Sequence, residues 1–219
     1  WSFFLGLVLA SVFVVSRRVK SWNPKLVVAL VAGTVATWFI VGMVPVQTPE
    51  TWWFLLFSGA FAICAMILPG ISGAFILLIL GKYEFVLEAV NDRNLAVLAV
   101  LAAGAVIGLV TFAQILGWLF QRYHDLTIAL LTGLMLGSLR KLWPWKIDVE
   151  WVIGSHGQRV PVVQENVLPQ LTSGGSFNTE LAVAVALAIA GLVVVILLER
   201  WSEPEVDTGH QMEPSAGSS

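Results

Sequence analysis

Long apolar stretches separated by short charged or proline-bearing turns run along most of this chain, and several approach the roughly 17–25 residues that an α-helix needs to cross a bilayer. The pattern predicts spans near 1–16, incomplete at its beginning, and near 25–43, bounded by Pro24 and the turn from Pro45 to Pro49. Positions 51–81 are apolar for too long to be one ordinary span. Further spans are expected near 95–120, 125–142 and 179–198. Together they define an all-α, polytopic membrane protein.

The long third stretch carries helix breakers where the centre of a bilayer should be. In Ile63-Cys64-Ala65-Met66-Ile67-Leu68-Pro69-Gly70-Ile71-Ser72-Gly73-Ala74-Phe75, Pro69 lacks a backbone donor and two glycines permit turns closed to other residues. Lipid tolerates such a break only where it lies against protein or lines a watery cavity. The expectation is a broken or re-entrant helical hairpin at a transport site, entering and leaving one face, with two short crossing helices as the alternative.

Glycines four apart, Gly104 with Gly108 and Gly133 with Gly137, mark helix faces that a neighbour can approach closely. Arg17, Arg18, Lys20 and Lys25 place the first loop in the cytoplasm, the Pro45–Pro49 turn outside and Arg122 inside. Arg140 and Lys141 then fall at an outer helix end, against the usual bias. In the outer connection 143–178, Ile147–Ile153 and Arg159–Val163 alternate in part around a turn at Gly154–Gly157, which suggests a small β-hairpin.

Composition agrees with the membrane setting: 58% of residues are hydrophobic, 12% are charged, and the mean hydropathy is +0.85. A net charge of -2 offers no nucleic-acid surface, and the single cysteine, Cys64, excludes an internal disulfide. No nucleotide-binding loop is present, and no cofactor is expected. His124 with Asp125 forms a polar patch, but His124, His156 and His210 share no metal-ligand motif. Trp52, Trp53, Trp118, Trp143 and Trp145 read as interface anchors.

The segment AICAMILPGISGAFILLILGKYE (62–84), followed by Arg122-Tyr123-His124-Asp125 and by LTGLMLGSLRKLWPWK (131–146), resembles the bacterial polyprenyl-phosphate transporter family over roughly 1–200. The resemblance implies a multi-pass protein of the bacterial cytoplasmic (inner) membrane that returns undecaprenyl phosphate, the lipid carrier of cell-wall synthesis. Family members carry two Pro-Gly-x-Ser-Gly segments in inverted halves. Only the second, Pro69–Gly73, is present here, so an upstream repeat is expected to be missing and the chain alone to be unable to transport. Residues 1–200 would form the membrane domain and 201–219 a disordered cytoplasmic tail.

A phosphate headgroup suggests which residues carry the chemistry. Ser72 offers a hydroxyl donor, and the backbone from Pro69 and Gly70 to Gly73 offers amides and room beside the ligand. Lys82, Arg140 and Lys141 are the candidate counter-charges, with snorkelling to lipid headgroups as the plainer reading. Glu84 is a candidate for pairing with a cation or carrying a coupling proton, with an interfacial salt bridge as the plainer reading. Proton coupling is expected over sodium, membrane lipids are partners, and no preference for a homo-oligomer follows. A lipid phosphatase or transferase would need an activated nucleophile, and Ser72 has no evident His or Lys beside it in sequence. A membrane scaffold would not need a broken apolar helix.

Overall fold

A computed structural model describes residues 1–19, 21–46, 48–153, 159–167, 172–173, 176–177 and 179–202. The elements are α1 (Ser2–Ser16), α2 (Pro24–Val41), α3 (Trp52–Ile67), α4 (Gly73–Ile79), α5 (Tyr83–Asn91), α6 (Leu95–Arg122), α7 (His124–Leu142), β1 (Lys146–Ile153), β2 (Arg159–Asn166), β3 (Thr172–Ser173), β4 (Ser176–Phe177) and α8 (Thr179–Ser202). Lys20, His156, His210, the expected turn at 154–157 and the tail beyond Ser202 lie outside the described residues.

Local chemistry sets the helix ends. Asn23 accepts from the Leu26 amide at 3.0 Å while Pro24 occupies the first helical position, where its missing N–H leaves nothing unpaired. Asn94 caps α6 in the same way, through the Val97 amide at 3.3 Å. Pro24–Val41, Leu95–Arg122 and Leu181–Trp201 are long and apolar enough to cross a membrane, and α1 and α3 are shorter apolar helices. The expected span at 125–142 differs in character. α7 carries Asp125 in its first turn and Arg140 and Lys141 in its last, and it is the most enclosed of the long helices, with Thr127, Ala129 and Thr132 fully buried.

Glycine contacts fix how the helices pair. Gly59 faces Leu101 and Ala105, Gly104 faces Leu56, and Gly108 faces Ala60, so α3 and α6 advance together and are parallel. α2 and α7 are also parallel: Gly33 abuts Leu130 and Leu134, Gly133 abuts Leu30 and Thr34, and Gly137 abuts Thr34 and Thr37. α1 and α8 form a third parallel pair, with Gly6 on Ala188, Gly191 between Phe3 and Leu7, and Ser2 beside Val183. The pairs therefore nest along the chain, first helix with last. Their relative directions agree with those implied by the loop charges. In an apolar solvent, where burying oil on oil gives no advantage over lipid, close backbone approach through glycine supplies the dispersion contacts that hold helices together.

The long apolar stretch 51–81 is a re-entrant hairpin rather than two crossing helices. α3 ends at Leu68, Pro69 and Gly70 turn the chain, and α4 returns along α3 with Gly73 against Ala62 and Met66. The root closes beside the start of α3, where the Val46 amide donates to the Ile79 carbonyl at 2.9 Å. The sequence pattern left 83–91 unassigned; it forms α5, whose Ala89 packs with Leu55 and Val97.

The expected β-hairpin is present as β1 and β2, antiparallel from Lys146 opposite Asn166 to Ile153 opposite Arg159, with irregular register between Asp148 and Trp151. Its base grips the end of α7. Asn166 Nδ2 donates to the Arg140 carbonyl at 2.8 Å, Lys146 Nζ donates to the Lys141 carbonyl, and Trp143 Nε1 donates to Val167 O at 2.8 Å. Carbonyls that a helix end leaves unpaired are thus satisfied from the hairpin.

Candidate functional site at the hairpin tip

The break between α3 and α4 supplies a backbone conformation that only glycine adopts readily. Gly70 has φ +97°, and a Cβ there would crowd Ser138 Oγ and Cβ at 2.8 and 2.9 Å and the Leu134 carbonyl at 3.2 Å. The tip therefore lies against the C-terminal half of α7. Pro69, half-buried, precedes it.

Ser72 is exposed and occupies the N-cap position of α4 with φ -96° and ψ 133°, yet its hydroxyl caps nothing. Only its carbonyl enters the helix, accepting from the Ile76 amide at 3.1 Å. The side-chain donor is thus uncommitted at a point where the chain has no regular backbone bonding. The following helix has seven residues. So short an element sums few peptide dipoles, and the expected attraction for an anion rests on local donors rather than on a macrodipole.

The three candidate cations have separate fates. Lys141 Nζ sits 5.0 Å from the centroid of the Phe75 ring, on the first turn of α4, and is half-buried. Gly70 meets Ser138 and the Lys141 side chain reaches Phe75, so the C-terminal part of α7 touches the tip and, through Lys141, the element that Ser72 opens. Arg140 faces the other way. Its Nη1 donates to the Trp38 carbonyl at 2.9 Å and its guanidinium stacks 4.8 Å from the Trp38 ring, closing the C-terminal turn of α2. Lys82 is 2% exposed, donates to the Thr48 carbonyl at 2.8 Å, and lies between the Phe54 and Phe85 rings at 5.8 and 5.6 Å. Snorkelling does not describe it.

Glu84 is exposed in the first turn of α5 and forms no ion pair with Lys82 among the described residues. His124 Nδ1 lies 3.1 Å from Asp125 Oδ1 at the α6–α7 turn, beside an open recess of about 610 Å³ lined by residues 123–126. A second recess, about 350 Å³, lies between α1 and α8 at Ser2, Val183 and Leu187. Neither adjoins the tip.

The sequence pattern missed Ser138, Phe75 and Thr48. Ser138 was recoverable, since it stands one turn from both Leu134 and Lys141 on a single helix face. Phe75 and Thr48 acquire their roles only when distant segments close on them.

Arg140→Gln gives a direct check on this division. Loss of a charge-assisted bond and a ring contact should cost about 1–2 kcal/mol of stability, read by thermal unfolding in detergent. Binding of a short-chain polyprenyl phosphate should stay within about three-fold of the parent, less than the loss of one net hydrogen bond. A large loss of binding with unchanged stability would return Arg140 to the site.

Comparison with known proteins places this hairpin in context. A polyprenyl-phosphate transporter of Vibrio cholerae serotype O1 is 43% identical over 204 residues, covering 93% of this chain and 66% of the relative. A polyprenyl-phosphate transporter of Staphylococcus aureus is 36% identical over 93 residues, covering 40% of this chain and 33% of the relative. The chain thus spans about two thirds, or less, of the length of these relatives. No solved structure matches it. The model of the undecaprenyl phosphate translocase-like family matches residues 1–160, a stretch that contains the whole hairpin and all of α7. With that match over most of its length, and with the Vibrio relative aligned along nearly all of it, the chain belongs to the undecaprenyl phosphate translocase-like family of membrane proteins.

Proposed function

We propose that this chain forms the hairpin-bearing part of a non-enzymatic transporter that moves undecaprenyl phosphate across the bacterial cytoplasmic membrane, for recycling of the carrier lipid. The observation that carries the reading is the uncommitted Ser72 hydroxyl at a glycine-built break, packed on α7 beside the helix that Lys141 touches. Family membership and the names of the relatives support the lipid class.

The physical problem is to carry a charged headgroup past about 30 Å of hydrocarbon while the polyprenyl tail stays in lipid. Lys141 supplies a compact, movable charge on the path. Ser72 and the backbone amides from Gly70 to Gly73 supply hydrogen-bond donors that replace water. Pro69 keeps the turn from continuing as helix, and Gly73 lets α4 return tightly on α3. Rocking of the helix pairs, or displacement of the hairpin tip, then opens the headgroup to the opposite side. A proton or sodium gradient drives the cycle, with Glu84 as an exposed acidic group at the hairpin's root. In this reading Arg140 and Lys82 are structural cations and not ligands.

The test is leaflet-resolved movement of undecaprenyl phosphate in vesicles, comparing this chain with a version extended through the upstream repeat. Movement is expected from the extended protein, and Ser72→Ala in it should slow the movement about ten-fold, as expected for loss of a hydrogen bond to a charged group. An extended, correctly inserted protein that moves no lipid under any imposed ion gradient would reject the assignment.

A further inference from the structure

The hairpin is held in two different ways at its two ends. At the root, three hydrogen bonds stitch Val46 and Thr48 to residues 79–82: Val46 N to Ile79 O at 2.9 Å, Thr48 Oγ1 to Leu80 O, and Lys82 Nζ to Thr48 O at 2.8 Å. Lys82 also joins the root internally, since its amide donates to Leu77 O at 2.8 Å and its carbonyl accepts from the Val86 amide at 2.9 Å to start α5. Gly81, with φ +63°, makes the corner between them. The ammonium is enclosed by Phe54 of α3 and Phe85 of α5, so one residue ties together the start of α3 and the start of α5 through its side chain and the end of α4 through its backbone amide.

The tip is held by packing. Gly70 touches α7, but Ser138, its nearest polar neighbour, spends its hydroxyl on Met135 O of its own helix at 2.7 Å. Ser72 contributes a carbonyl to α4 and leaves its hydroxyl unbonded. An apolar contact can slide in small steps, whereas parting a buried ammonium from its acceptor carries the full cost of an unpaired charge.

We infer that Lys82 is the fixed pivot of the re-entrant hairpin: a positioning residue that holds the root closed, so that motion is confined to the tip that bears Ser72. The inference rests on the transport reading for its purpose, but its physical content is the unequal opening of the two ends.

Cysteine labelling reads that inequality without requiring transport. In the full chain with Cys64→Ala, single reporters are placed at the root (Ile79→Cys, from a residue 7% exposed), at the tip (Ser72→Cys) and in the remote core of α7 (Thr132→Cys, from a residue 0% exposed). Each is treated with N-ethylmaleimide in lipid nanodiscs, where both faces are reached. The tip should label at least about ten-fold faster than the root, and Lys82→Met should raise root labelling about ten-fold or more, with no rise at Thr132→Cys. Thr48→Val, which keeps the cation and removes only the neighbouring stitch, should raise root labelling about three-fold.

Unchanged root labelling in both variants would overturn the pivot. So would an equal rise at Thr132→Cys, which would make Lys82 a general support of the fold. In the extended, transporting protein, Lys82→Met should lower turnover while leaving the affinity for a short-chain polyprenyl phosphate unchanged. Weakened binding with a closed root would make Lys82 a ligand and reject the inference. An opened root in a protein that moves no lipid would retain the pivot and reject only the transport reading.

Discussion

Gly133→Ile should lower the midpoint of thermal unfolding of the detergent-solubilised protein by about 2–12 °C, because overpacking costs typically about 1–3 kcal/mol and each kcal/mol shifts a chain of this size by about 2–4 °C. A side chain at Gly133 would drive into the Leu30 carbonyl and crowd the Thr34 amide at 3.0 Å. These are backbone atoms of α2, which cannot rotate aside as a flexible side chain does. The helices must separate, and Gly33 and Gly137 would then lose their own contacts with α7 and α2. Gly117→Ile is the matched control. It adds the same atoms at a position with nothing within 4 Å, so the midpoint should move by no more than about 2 °C, the scale of an ordinary surface change of about 0.5 kcal/mol. Equal shifts in the two variants would mean that close helix approach does not hold α2 to α7.

Lys141→Met should weaken binding of a short-chain polyprenyl phosphate about 10–100-fold in the extended protein, since a hydrogen bond involving a charged group contributes about 1.5–3 kcal/mol. Methionine preserves the unbranched stem and its apolar contact with Phe75, so stability should change by less than about 1 kcal/mol, as for a volume-conserving swap. The contrast with Arg140→Gln is the informative part. The two cations are adjacent in sequence, carry the same charge and sit at the same helix end, yet one leans over α4 and the other closes α2. Electrostatic attraction to the membrane region at large would make the two substitutions equivalent. A loss confined to Arg140 would invert the assignment.

Those adjacent residues also mark how far the chain could be read before its structure was known. Pro69, Gly70 and Gly73 announced the hairpin because each acts through its own backbone, and Pro24 announced the start of α2 for the same reason. The spacing of Gly104 and Gly108 identified a contact face, since helical periodicity is a local property. Which helix would occupy that face was not legible, because α3 lies far away in sequence. The cations were the hardest. Lys82 has a flexible stem that can either reach water or fold inward, and the choice was made by Phe54, Phe85 and Thr48. α5 was overlooked because its apolar face is too short for a membrane span and its neighbours define its burial.

The nesting of α3 with α6, α2 with α7 and α1 with α8 sets an order of assembly during synthesis. Each inner pair is complete before the next outer pair can close, so the bundle should zip from the hairpin outward. Between the emergence of Val41 and that of Leu142 the ribosome adds roughly 100 residues, a wait of about 5–20 s at about 5–20 residues per second. For that interval the Gly33 face of α2 lacks the α7 residues that cover it, and for longer still α1 waits for α8. Of these three pairs the outermost is therefore the last to close, and α1 is the member left longest open to mispairing and to capture by membrane quality control.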